Sequence, residues 1–129
     1  MNTKLLMTSS ALIMGIAGIT LTFLPQETAA FLGWNNPETV LIQILGALYF
    51  GFAMVNWTTK SNLLGGIYGR PLTIGNFSHY LIAAFALLKS IKSQSGEKWV
   101  IIAAIVYSIF AILFGYVMLT HPKAKTSEK

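Results

Sequence analysis

The chain has no cysteine, and only 10% of its 129 residues are charged. The first absence excludes disulfides, thiol catalysis and thiolate metal sites. The second is as restrictive, because soluble proteins carry about 25% charged residues and a chain of this size could not cover its surface with so few. Acidic residues number four, and the interiors of the apolar runs are free of charge apart from Lys89 near one end. What is there instead is apolar: 54% of residues are hydrophobic, gathered into four runs. The length suits one domain. A net charge of +5 raises nucleic acid as a partner. However, the basic residues stand singly at the ends of the runs, which fits orientation and lipid headgroups rather than a nucleic-acid face.

The runs predict helices over about residues 5–24, 38–57, 72–91 and 99–120. About twenty residues at 1.5 Å rise match a hydrocarbon core of about 30 Å. The expected fold is an all-α membrane protein, a four-transmembrane-helix bundle with short loops and a polar tail over 121–129. Lys4, the run Leu5–Leu24 and Thr28-Ala29-Ala30 imitate the parts of a secretory signal. The run exceeds the usual h-region of about 7–15 residues, so its retention as a span is the expectation. Pro25 closes this helix. Thr28–Trp34 reads as an interfacial turn with Phe31 and Trp34 at headgroup depth. Asn35-Asn36-Pro37 is a turn signal, and Pro37 with Glu38 suits the first turn of the second helix.

The candidate site residues lie on the second and third spans. At 100° per residue, Gln43, Gly46, Ala47, Phe50, Met54 and Trp57 share a face. An amide beside small residues is what a helix contact in lipid needs, so Gln43 reads as interhelical glue, with a ligand contact as the alternative. The stretch Gly65–Tyr80, GGIYGRPLTIGNFSHY, opens in a loop that lacks the Lys-Ser/Thr of a phosphate loop. It reads as a turn lying on the membrane, the alternative being a re-entrant turn that lines a cavity. Beyond it, Asn76, His79 and Tyr80 share a face of the third helix, with Arg70 at the connected surface. Together with Gln43, if the two faces meet, these form the candidate polar pocket. An ionisable residue inside a span is by default a functional-site hypothesis. His79 nevertheless lies only about 12 Å from the helix start by rise, where a neutral imidazole bonding a hydroxyl or carbonyl accounts for it equally well. A single histidine without neighbouring carboxylates is not a metal site. No catalytic residue or cofactor is assigned. On the fourth span Ala104, Ser108, Ala111 and Gly115 recur at spacings of 4, 3 and 4, a small-residue seam for another helix. Trp99 and Tyr116 lie toward its opposite ends, as interfacial anchors do.

With the N-terminus inside, Lys4, Lys60, Arg70, Lys123, Lys125 and Lys129 fall on the cytoplasmic side and Lys89, Lys92 and Lys98 outside. The excess places both termini in the cytoplasm, although the basic third connection runs against the rule. The size and span count invite comparison with the small multidrug-resistance transporters, but the first span lacks the membrane-embedded glutamate on which they rely. The charged intramembrane pattern of the membrane-bound glutathione and eicosanoid enzymes is likewise missing. In ILGALYFGFAMVNW (Ile44–Trp57) and in its polar-topped third helix, about half its length, the chain resembles the small bacterial four-helix membrane proteins of the DoxX-like kind. That resemblance implies a bacterial inner-membrane location and transfers no functional residue. Three function classes follow: a non-catalytic membrane subunit or lipid-interacting protein, which accounts for every feature; a small transporter or proton-linked carrier using the polar face of the third helix; and a membrane enzyme acting on a lipid or quinone. The expected partners are membrane lipids and a homo-oligomer or larger membrane complex, not nucleic acid.

Overall fold

The computed structural model describes residues 1–35, 37–62, 64, 69–93 and 98–120. It is all-α: α1 (Thr3–Phe23), α2 (Pro25–Phe31), α3 (Thr39–Thr59), α4 (Arg70–Ser93) and α5 (Lys98–Thr120). Four of these helices are long and apolar enough to cross a membrane. The chain divides into two compact units, Met1–Ser61 and Asn62–Lys129. Much of the glycine-rich stretch (Gly65, Gly66, Ile67 and Tyr68), the centre of the third connection and the tail from His121 onward lie outside the described residues.

In the first unit α1 packs against α3, with α2 between them in sequence. Asn2 caps α1, its side-chain oxygen accepting from the Leu5 N–H at 3.2 Å, which satisfies one of the orphan donors of a helix start. Hydroxyls inside the apolar helices bond back one turn: Thr8 donates to the Lys4 carbonyl and Thr20 to the Ile16 carbonyl. A lone hydroxyl is thereby tolerable in an apolar span. Pro25 ends α1 and serves as the first residue of α2, where a missing N–H costs nothing.

The connection after α1 is more regular than the sequence suggested. Pro25–Phe31 is a helix, and it stops in a left-handed cap. Gly33 sits at φ 69°, Gly33 N–H donates to the Ala30 carbonyl and Trp34 N–H to the Ala29 carbonyl. This is the paired Schellman arrangement, in which glycine avoids the Cβ penalty of positive φ. Phe31 and Trp34 are exposed. The start of α3 also differs from expectation. Pro37 and Glu38 precede the helix instead of forming its first turn: Glu38 is the cap residue, and its carbonyl accepts from Leu41 and Ile42.

In the second unit α4 packs against α5. Thr73 secures the start of α4, its hydroxyl donating to the Gly69 carbonyl at 3.0 Å and lying 3.4 Å from the carbonyl of buried Leu64. Large apolar side chains such as Ile82, Phe85, Ile112 and Leu119 remain exposed around this pair, as lipid-facing positions do.

Candidate functional site

The residues that carry chemistry fall into one cluster in each unit. In the first, α1 and α3 run antiparallel and are held at three levels. At one end Gln43 Nε2 donates to the Thr22 carbonyl at 3.3 Å. In the middle the backbones meet at Gly18 and Gly46. A Cβ on Gly18 would lie 2.6 Å from Phe50 N, and one on Gly46 would lie 2.7 Å from Thr22 N. At the other end Asn56 Nδ2 donates to Ser10 Oγ at 2.9 Å and lies 3.8 Å from Met14 Sδ.

This geometry corrects the expected face of the second span. The buried residues of α3 are Ile42, Gly46, Ala53 and Asn56, whereas Gln43, Ala47, Phe50, Met54 and Trp57 are exposed. The buried amide is Asn56, not Gln43, and the Gln43 donor is committed to α1. Ala47 does not line the contact, while Gly46 is its centre. Trp57 instead carries the Lys60 ammonium 3.0 Å above its ring, a cation–π pair at a helix end.

In the second unit Tyr80 is fully buried. Its ring lies nearly parallel to Phe110 (centroids 4.8 Å apart) and Phe114 (5.7 Å), and meets Tyr107 edge-on at 5.3 Å. Offset stacking and edge contacts of this kind each add about 0.5–1.5 kcal/mol beyond area burial. His79 is half-buried beside this group, 5.3 Å from the Tyr80 ring and 5.8 Å from that of Tyr107. Asn76 is buried one turn earlier and donates to the Leu72 carbonyl of its own helix at 2.9 Å. Arg70 is the exposed first residue of α4. The structure thus gathers His79 and Tyr80 around Tyr107, engages Asn76 in α4 itself and leaves Arg70 outward.

Of the expected seam on α5, Ala104, Ala111 and Gly115 are buried and Ser108 is half-buried. A Cβ on Gly115 would sit 3.0 Å from Phe77 Cε2, so this glycine lets the Phe77 ring approach. Ala104 and Ser108 line an open apolar groove between α4 and α5. Sequence reasoning missed Tyr107, Phe110 and Phe114 as the partners of Tyr80, although their 3 and 4 spacing marks a single stripe. It also missed Ser10, Gly18 and Asn56. Among the described residues, no three His, Asp or Glu lie close enough together to hold a metal ion.

One helix pair closed by interhelical polar bonds and a glycine contact, another built on stacked rings, and an apolar periphery on both define a multi-pass α-helical membrane protein. No protein-family model, curated protein or solved structure matches the chain.

Proposed function

We propose that this is a non-catalytic membrane subunit, a small helical scaffold that works through its apolar surfaces. The observation that carries this reading is where the buried polar side chains turn. Among the described residues these are Ser10, Asn56, Thr73 and Asn76, and each bonds a protein group within its own unit. Polar side chains inside a span act either as glue or as a pathway, and the Asn56–Ser10 bond, which joins α3 to α1, is glue of this kind, while Thr73 and Asn76 bond back to the start of α4 and to α4 itself. The same reading takes the membrane to be a bacterial inner membrane with both termini cytoplasmic, on the excess of Lys and Arg in the N-terminal segment, second connection and tail.

A second reading, a small carrier, draws on one specific feature: a titratable imidazole grouped with the Tyr80 and Tyr107 rings. Complementation separates the two. In a host deleted for the gene, His79→Gln and Tyr107→Phe are expected to restore function fully at equal folded amounts. Folded but non-complementing His79→Gln protein, with loss of a pH-dependent flux, would overturn the scaffold reading in favour of the carrier.

A further inference from the structure

The three lysines on the outer side of the charge count, Lys89, Lys92 and Lys98, have no part in the scaffold reading and run against the orientation rule. Between α4 and α5 runs an apolar groove of about 300 Å³, and Lys92 and Lys98 lie in sequence just beyond the residues that line it. Ala104 and Ser108 form its floor, and Leu88, Ile101, Ile105 and Ile112 are among its walls. Lys92 follows Leu88 by four residues, and Lys98 precedes Ile101 and Ile105 by three and seven. Helical neighbours at these spacings lie on one stripe, so Lys92 and Lys98 belong to the stripes that line the groove. Both lysines are exposed.

We propose that this groove is a binding site for one anionic phospholipid, with an acyl chain along α5 and the phosphate between Lys92 and Lys98. The dimensions match. From Ile101 to Ile112 the groove extends about 16 Å by helical rise, and one leaflet spans half of a core of about 30 Å. The lysines then fall at headgroup depth, where their long stems reach the interface. A helix from a second copy is a poorer occupant. At about 10 Å diameter it would displace roughly 1,200 Å³ over this length, and a parallel copy would bring Lys92 and Lys98 against their own equivalents, a like-charge juxtaposition. The site goes beyond the scaffold reading and rests on its own observations.

The test titrates the full chain in neutral detergent with palmitoyl-oleoyl phosphatidylglycerol or phosphatidylcholine and counts lipid adducts by native mass spectrometry. The wild type is expected to hold one phosphatidylglycerol at a concentration about tenfold lower than it needs for phosphatidylcholine, given the attraction of two lysines near a headgroup. Lys92→Gln with Lys98→Gln should erase that preference, and Lys4→Gln should leave it intact. Ser108→Phe, which fills the groove, should remove the adduct with either lipid. If it lowers helicity, Ile105→Ser at an exposed wall position should weaken both adducts instead. Equal binding of the two lipids by the wild type, loss of preference in Lys4→Gln, or a full adduct on folded groove variants would each overturn the site.

Discussion

Gly18 and Gly46 face each other across α1 and α3: a Cβ built on either one would come within 2.9 Å of the other's carbonyl oxygen. The two helices therefore meet backbone to backbone, an approach that small residues permit and that dispersion and polar contacts then hold in lipid. Any side chain at these positions must push the helices apart or bend them.

Gly18→Leu or Gly46→Leu should cost at least about 1–3 kcal/mol, the usual range for overpacking a close contact. Gly51 is the internal control, because a Cβ there meets nothing within 4 Å. Gly51→Ala should be neutral or stabilising by up to about 1 kcal/mol, since glycine weakens a helix interior. Folded yield in detergent, and helicity along a denaturant titration, read both. Equal tolerance at Gly46 and Gly51 would show that the helices do not meet there.

The Asn56–Ser10 bond closes the other end of the same pair. A double-mutant cycle with Asn56→Ala and Ser10→Ala should return a coupling of about 0.6 kcal/mol, with about 1.7 as the upper range for interhelical bonds in a membrane protein. Gln43→Ala should cost less than Asn56→Ala, because Gln43 is exposed and its 3.3 Å contact is longer. The reverse order would return the buried-amide role to Gln43.

For the second unit, Tyr80→Ala should cost about 3–5 kcal/mol, the range for deleting a fully buried aromatic ring, while Tyr80→Phe keeps the stack with Phe110 and Phe114 and should cost far less. On α5, Gly115→Leu should lower folded yield by driving into Phe77, whereas Ile112→Leu, at a 70% exposed position, should be near neutral. Thermal unfolding of the purified variants gives the ranking, and a neutral Gly115→Leu would remove the contact.

The proposed orientation predicts cytoplasmic signal from topology reporters fused after Ser61 and Lys129, and external signal after Gly33 and Ser95. External signal at Ser61 or Lys129 would invert the arrangement, and would also move the Lys92–Lys98 end of the groove to the cytoplasmic leaflet.

Four long apolar helices and their approximate ends were legible in the order of residues, while of the expected α5 seam Gly115 meets Phe77 of α4 and Ala104 and Ser108 line an open groove. Length, absence of charge and a proline or glycine at a boundary act locally, so no partner is needed to read them. The glycine-capped α2 was written just as locally, in Pro25 and Gly33, but seven residues are too few to stand out by periodicity. The contact faces were another matter. In a soluble helix the buried side is the apolar side, whereas lipid tails are as apolar as leucine, so a spanning helix is hydrophobic all round and its pattern does not mark the packed face. That is why Gln43 and Asn56 could not be told apart by residue type. Shape made the choice: the backbone approach at Gly18 and Gly46 fixed the rotation of α3, turned Asn56 inward against Ser10, left Ala47 and Trp57 outside and kept Gln43 at an exposed edge, where it still bonds the Thr22 carbonyl of α1. Tyr80 was visible as a polar-face residue, but its neighbours come from a helix some thirty positions later. Only the packing of α4 on α5 made it the centre of an aromatic stack.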